Sequence, residues 1–139
     1  MALDAWWEQY GLKPPSATSV STAEEIVALA EGGLVEIGAH TATHPRLPGL
    51  EREAQLEEIR SSKQRLEQLL ERSIESFSYP HGEYDRTTVD CVREAGFARA
   101  CASGERAVTS RARVFEIPRI QAPDVSGEEL ARILESRLR

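Results

Sequence analysis

Two histidines four residues apart are the strongest candidates for chemistry in this 139-residue sequence. His40 and His44 lie in the segment GAHTATHP, which Gly38 opens and Pro45 closes. Neutral imidazole is a good ligand for zinc and similar transition metals. The H-E-x-x-H pattern of metalloproteases does not apply, because no glutamate follows His40 and the flanking glycine and proline disfavour a continuous helix.

The spacing of this pair requires a turn. In an extended chain the two rings would lie roughly 13 Å apart, which is too far for one metal ion. A turn after His40 must therefore bring the rings together, and a site built on two histidines still needs a third ligand. On spacing alone, two unconnected histidines of a surface loop are the alternative.

A second candidate segment is FSYPHG at residues 77–82, where an aromatic strand runs into a Pro-x-Gly turn. Gly82 permits a backbone conformation or a close approach that other residues resist. The backbone N–H of His81 could then point into a site and stabilise an oxyanion. The alternative is an ordinary strand-to-helix turn with Tyr79 packed in the core.

The elements that must position these residues alternate between helices and strands. Ser21 and Glu24 form a capping-box pattern at the start of one predicted helix, which ends at Gly32 and Gly33. A later helix begins with Asp85 or Thr87 as its cap and ends at Gly96. Strands are predicted at 34–39, 76–79, 97–102 and 114–120. The last of these is predicted to be an edge strand because it contains Pro118. Further helices are predicted at 51–72 and from Ser126 onward. This alternation predicts an α/β domain with a mainly parallel sheet. Ligands bind at the carboxyl ends of such strands, which is where both candidate segments lie.

Composition excludes several classes of function. The chain is 40% apolar with a net charge of −6, which is ordinary for a globular domain and argues against non-specific nucleic-acid binding. No apolar run is long enough for a membrane span, and no signal peptide is evident. The chain as it stands is therefore expected in the cytoplasm, but the sequence does not identify the native compartment. Cys91 and Cys101 are predicted to be buried, reduced packing residues.

Taken together, the two segments resemble the polysaccharide deacetylase family, the metal-dependent carbohydrate esterases related to chitooligosaccharide deacetylases and also known by the NodB homology domain. The resemblance rests on residues 35–45, 76–85 and 92–97, with 115–120 similar to one branch of the family. It runs from about residue 20 to the C-terminus. We therefore interpret residues 1–20, with Trp6 and Trp7, as an insertion-like segment and residues 21–139 as the deacetylase-like domain.

The resemblance implies a distorted (β/α)7-type barrel that holds one divalent metal, usually zinc, at the carboxyl ends of its strands. The family's ligands are one aspartate and two histidines, and the histidines correspond to His40 and His44. Water activated by the metal would attack an N-acetyl carbonyl of an acetylated glycan, with the oxyanion held by the metal and the backbone N–H of His81. Tyr79, Pro80 and Gly82 would contact the substrate.

The chain departs from the family pattern in its acidic and late motifs. The family's first strand ends in two adjacent aspartates, whereas the only aspartates here are Asp4, Asp85, Asp90 and Asp124. The sequence is therefore expected to lack the first strands of the barrel, and its metal to be weak or absent unless a third ligand is supplied. The late Leu-x-His motif is also not found, and Arg119 takes roughly its place with a predicted substrate or acid-supporting role.

Glu36 shares one face of the predicted 34–39 strand with His40, because side chains alternate along a strand. It could orient a histidine, pair with a buried arginine, or serve as a replacement ligand.

Two functions remain open from the sequence. The first is a carbohydrate N-deacetylase whose missing aspartates come from a separate chain or an upstream segment. The second is a catalytically inactive, truncated deacetylase-like domain that binds glycan or associates with a partner chain. An open strand edge at residues 35–37 predicts self-association or a homo-oligomer in either case.

Overall fold

The computed structural model describes residues 21–104, 107–109 and 111–137. The predicted insertion-like segment 1–20, with Asp4, Trp6 and Trp7, lies outside the described residues. The described helices and strands are, in chain order, α1 (Ala23–Glu31), α2 (Arg52–Leu70), β1 (Ser76–Ser78), α3 (Arg86–Glu94), β2 (Arg99–Ser103), β3 (Ile117–Arg119) and α4 (Gly127–Arg137), with 3₁₀ turns at Leu47–Gly49 and Pro80–Gly82.

The three strands form one parallel sheet in the order β1-β2-β3. Phe77 of β1 lies opposite Ala100 of β2, and Ala102 of β2 lies opposite Pro118 of β3. The predictions of an α/β domain with a parallel sheet and of an edge position for the proline-containing strand are confirmed for the described residues. Parallel pairing matters for function, because all three strands then end at the same edge of the sheet.

The strand predicted at residues 34–39 is reduced to one bridge, between Ala39 and Phe77. The Ala39 N–H donates to the Ser76 carbonyl at 2.9 Å, and the Ser78 N–H donates to the Ala39 carbonyl at 2.9 Å. The prediction was wrong for residues 34–38: the parallel register of Ala39 with Phe77 places residues 34–37 beyond the start of β1 at Ser76, and no bridge forms at Gly38. Leu34 is consequently 97% exposed.

The core lies between the sheet and the two helices α2 and α3. The predicted helix at 51–72 is present as α2, which buries Leu56 and Ile59, and Leu66 and Leu70 pack against the same core. The largest apolar side chains that are fully buried are Tyr79, Phe77, Leu47, Ile59, Ile74 and Val92. Helices α2 and α3 therefore form a rigid support on one side of β1.

The helix caps differ from the predictions by one residue at most. Helix α1 is capped by Thr22 with Glu25 in a capping box, one residue later than the predicted Ser21 and Glu24. Asp85, one of two predicted caps, accepts from the Thr88 N–H at 2.8 Å.

The two cysteines are free thiols; Cys91 is buried as predicted, whereas Cys101 is only half-buried. None of the helices in the described part of the chain is long and apolar enough to cross a membrane.

Candidate metal and oxyanion site

The predicted site residues gather where the parallel strands end. His40 follows the Ala39 bridge, the Pro80–Gly82 turn follows β1, and Arg119 is the last residue of β3. This edge is open to solvent, since His40, His44 and His81 are all exposed. The location agrees with the general rule that parallel sheets bind ligands at the carboxyl ends of their strands.

The rings of His40 and His44 converge. Their Nε2 atoms lie 3.1 Å apart, and the ring centroids are 4.8 Å apart at an interplanar angle of 65°. The turn that the spacing required is present, because Thr41 and His44 both adopt left-handed backbone conformations, with φ of 64° and 61°. The alternative of two unconnected loop histidines does not describe this geometry.

Hydrogen bonding fixes which nitrogen of His40 is free. Its Nδ1 lies 2.7 Å from the carbonyl oxygen of Ser78. Because a carbonyl can only accept, Nδ1 carries the proton and Nε2 of the neutral ring presents a lone pair. A backbone carbonyl on the distal nitrogen is the usual arrangement behind a metal-binding histidine.

The separation of the two Nε2 atoms suits a shared cation. Two nitrogen atoms 3.1 Å apart need a proton or a cation between them. Zinc–nitrogen bonds of about 2.0–2.1 Å bridge this separation at an angle of about 100°, close to tetrahedral. The donor set of His40 and His44 therefore fits two positions of one zinc ion.

A complete ligand set is not found within residues 21–104, 107–109 and 111–137, where no three or more His, Cys, Asp or Glu side chains are grouped to hold a metal ion. The His81 ring lies beside His44, with centroids 4.6 Å apart. An ion pair between Arg46 and Glu83 also joins the two candidate segments. His81 is thus a neighbour of the histidine pair and does not complete a three-residue ligand group with it in this structure.

The turn at Pro80–Gly82, which was predicted to present an oxyanion donor, has a strained backbone. His81 and Gly82 have φ of 58° and 71°. The turn is closed by the Gly82 N–H on the Tyr79 carbonyl at 3.0 Å and by the Glu83 N–H on the Pro80 carbonyl at 3.1 Å. Among the described residues no acceptor takes the His81 N–H, which leaves that donor available.

Tyr79 and Pro80 are buried, and a substrate contact through either residue remains a prediction. The Tyr79 hydroxyl donates to the Phe115 carbonyl at 2.9 Å, and its ring stacks on Tyr84 with centroids 4.8 Å apart. Burial raises the pKa of the Tyr79 phenol above its ordinary value. Both residues anchor the turn in the core. Tyr79 points into the core together with Phe77 because side chains two residues apart on a strand share a face.

Gly82 supports the turn through a close approach to β2. An added Cβ would lie 2.3 Å from the Cβ and 2.9 Å from the backbone nitrogen of Ser103. Glycine is required here for packing as well as for its positive φ. A substrate contact through Gly82 remains a prediction.

Arg119 contacts the residue that holds His40. Its Nη2 donates to the Ser78 Oγ at 2.5 Å, while its Nε donates to the Ala102 carbonyl at 3.4 Å. The guanidinium is therefore at the same edge as the histidines. Its predicted role toward a substrate remains a prediction.

Glu36 does not orient a histidine. Its Oε1 accepts from the Ser76 hydroxyl and from Arg99 Nη2, the latter at 2.6 Å. These hydrogen bonds, first that from Ser76 and then that from Arg99, hold the pKa of Glu36 below its ordinary value. Of the three roles predicted for Glu36, the structure contains the pairing with an arginine, although Arg99 is half-exposed and not buried. The His40 ring is held by the carbonyl of Ser78 and not by Glu36.

Two contributors were missed from the sequence. Ser78 acts through its backbone carbonyl, which leaves no signature in a residue pattern. Glu58 of α2 accepts hydrogen bonds from the turn between the histidines. In the sequence Glu58 appears only as one charged residue of a predicted helix. The structure shows that this helix packs beside the His40–His44 segment.

Comparison with known proteins identifies the family. Residues 2–100 match the sequence profile of the polysaccharide deacetylases. YxkH of Bacillus subtilis, which is named for the same family, is 25% identical over 116 residues, covering 83% of this chain and 41% of its own length.

Two solved structures give the fold. The deacetylase PplD of Streptococcus pyogenes, solved with acetate, superposes with a TM-score of 0.76 at 21% identity, over 85% of this chain and 52% of that protein. A polysaccharide deacetylase from Bacillus cereus gives a TM-score of 0.73 at 18% identity, over 95% of this chain and 47% of that protein. The chain thus spans about half the length of these relatives or less, and its fold is part of a distorted (β/α)7-type barrel.

Proposed function

Because the chain belongs to the polysaccharide deacetylase family, we propose that it takes part in metal-dependent, hydrolytic removal of N-acetyl groups from a polysaccharide or oligosaccharide. The observation that carries the proposal is the convergence of two Nε2 atoms at 3.1 Å, with the proton of His40 held on Nδ1 by Ser78. The relative PplD, whose structure contains acetate, is named as a deacetylase. Acetate is the product that N-deacetylation releases.

Each part of the site has a defined task in this reaction. His40 and His44 would hold the metal through their Nε2 atoms, and the Ser78 carbonyl keeps the His40 ring in the required tautomer. A divalent metal bound there supplies Lewis-acid polarisation and lowers the pKa of a bound water. The His81 N–H, fixed by the strained turn, donates to the oxygen on which negative charge develops.

Arg119 is proposed to help bind the substrate. Arg119 is exposed, and its guanidinium donates one hydrogen bond to Ser78 and one to the Ala102 carbonyl, so its remaining N–H groups can reach a polar group of the glycan. We assign no proton transfer to Arg119, because a guanidinium does not lose its proton in proteins.

Zinc titration calorimetry together with an acetate-release assay on acetylated chitooligosaccharides tests the proposal. The wild-type chain should bind one Zn²⁺, and His40→Ala and His44→Ala should abolish this binding. His81→Ala is the matched control, since it removes a neighbouring imidazole that is not a ligand and retains the backbone N–H. Equal zinc binding in all four proteins would refute the catalytic proposal, and so would the absence of acetate release by the zinc-loaded wild type both alone and together with the segment or partner chain that supplies the missing aspartates.

A second candidate function follows from the incomplete ligand set among the described side chains. In this reading the domain binds an acetylated glycan without hydrolysing it, or associates with a partner chain. Leu34 and Val35, which are 97% and 42% exposed, provide an apolar surface for association, although the predicted strand edge at residues 35–37 is not formed. Glycan binding without acetate release supports this candidate, and a well-behaved monomer in light scattering counts against association.

A further inference from the structure

The carboxylate of Glu58 binds the turn that separates the two histidines. Its Oε2 accepts from the backbone N–H groups of Ala42, at 3.0 Å, and Thr43, at 2.9 Å. Its Oε1 accepts from the Thr43 hydroxyl at 2.8 Å. Two successive backbone N–H groups and a hydroxyl thus converge on one charged group, the arrangement in which hydrogen bonds are strongest.

The turn needs such an external contact because its backbone is strained. Thr41 and His44 both have positive φ, which residues with a Cβ adopt only at a cost. Within the turn, the Thr41 hydroxyl donates to the His40 carbonyl at 2.6 Å and accepts from the His44 N–H at 3.1 Å. These internal bonds shape the turn but do not attach it to the rest of the protein.

Glu58 supplies the attachment from a rigid element. It lies in the middle of α2, next to Ile59, which is fully buried in the core. His40 is fixed independently, because its ring is bonded to Ser78 on β1. The position of His44 relative to His40 therefore depends on the turn that Glu58 holds.

We infer that Glu58 is a positioning residue that sets the separation of the His40 and His44 rings, and through it the metal affinity of the pair. The inference rests on the proposed role of these histidines as metal ligands. Glu58 forms no ion pair with a cation in residues 21–104, 107–109 and 111–137, so its hydrogen bonds to the turn are its defining contacts.

Imidazole NMR of the full, metal-free chain tests the inference without any assumption about activity. The wild type should give a nuclear Overhauser effect (NOE) between the rings of His40 and His44, and Glu58→Ala should lose it. Glu58→Gln should keep it, because its amide oxygen still accepts from the two backbone N–H groups. Glu57→Ala is the matched control, since Glu57 is the neighbouring exposed acid of α2 and bonds only to Ser61 within the described part of the chain, at 2.8 Å.

Zinc affinity provides the second readout. Loss of a partner that orients a ligand weakens metal binding by about 10- to 100-fold, and this is the loss expected for Glu58→Ala and not for Glu57→Ala. Circular dichroism and thermal unfolding confirm that each variant is folded. If Glu58→Ala does not fold, Glu58→Asp, which keeps the charge but shortens the reach, is judged by the same NOE.

The outcomes separate this inference from the proposed function. An inter-ring NOE that survives in Glu58→Ala, or one that Glu57→Ala removes equally, overturns the inference. An NOE that depends on Glu58 in a chain that binds no zinc supports the positioning of the rings and contradicts the proposed metal-dependent function.

Discussion

Replacing Gly82 by alanine should destabilise the Pro80–Gly82 turn far more than a typical glycine substitution would. Gly82 has φ of 71°, where an L-residue is disfavoured by about 1–2 kcal/mol. The new Cβ would also lie 2.3 Å from the Cβ, 2.4 Å from the Oγ and 2.9 Å from the backbone nitrogen of Ser103. Overpacking of this kind adds about 1–3 kcal/mol, so the total loss of unfolding free energy is about 2–5 kcal/mol.

Gly96 offers a matched control. Its φ is 82°, but an added Cβ would meet no atom within 4 Å. Gly96→Ala should therefore lose only about 1–2 kcal/mol for its backbone conformation. For a domain of this size each kcal/mol lowers the Tm by about 4 °C, so the expected decreases are about 8–20 °C for Gly82→Ala and about 4–8 °C for Gly96→Ala.

Urea and thermal unfolding of both variants provide the assay. Ser103→Gly, added to Gly82→Ala, removes two of the three close contacts and should restore part of the lost stability. Equal losses for the Gly82 and Gly96 variants, or no recovery with Ser103→Gly, would refute the argument that the turn is pressed against the end of β2.

Two further predictions concern stability. Tyr79→Phe removes the donor to the Phe115 carbonyl and should lower the unfolding free energy by about 1 kcal/mol, measured in urea; no change would contradict a structural hydrogen bond at this position. Glu36, whose folded pKa is lowered first by its hydrogen bond from Ser76 and then by that from Arg99, binds fewer protons in the folded than in the unfolded chain at acid pH. Its contribution to stability is therefore present above about pH 4.3, the unfolded value, and is lost as the pH falls through the lower folded pKa. Glu36→Gln should destabilise the protein at neutral pH and flatten the acid limb of its stability profile, whereas an unchanged acid limb would contradict the pairing.

The local geometry of the site could be predicted because short sequence spacing fixes it. The distance between His40 and His44 in an extended chain required a turn, and the structure contains that turn with positive φ at His44. The Pro-x-Gly pattern likewise predicted the corner at Pro80–Gly82. Such features depend on a few neighbouring residues, so their sequence signals are strong.

Features that depend on distant partners could not be predicted in the same way. Strand propensity favoured residues 34–39, but a strand pairs only where a neighbouring strand lies beside it, and β1 is only three residues long. Glu58 looks like any charged residue of an amphipathic helix until its turn partners, 15 and 16 residues away, are placed beside it. Sequence periodicity describes a helix face and not what that face meets.

The burial of Tyr79 agrees with the alternative that strand alternation offered. Phe77 and Tyr79 are two residues apart on a strand and share a face, and their rings meet edge-on with centroids 5.4 Å apart. Since Phe77 is a large apolar residue that is expected in the core, the alternation of side chains along the strand already favoured burial of Tyr79. The same rule places Ser76 and Ser78 on the opposite face, where they contact Glu36 and Arg119.

A crystal structure of the chain grown with Zn²⁺ would show whether His40 and His44 bind one metal ion together. One zinc ion should lie about 2.0–2.1 Å from the Nε2 atoms of both His40 and His44. The Nδ1 of His40 should remain on the Ser78 carbonyl, as it is at 2.7 Å here. Zinc bound through Nδ1 of either ring, or the two rings turned apart toward different ions, would contradict this expectation.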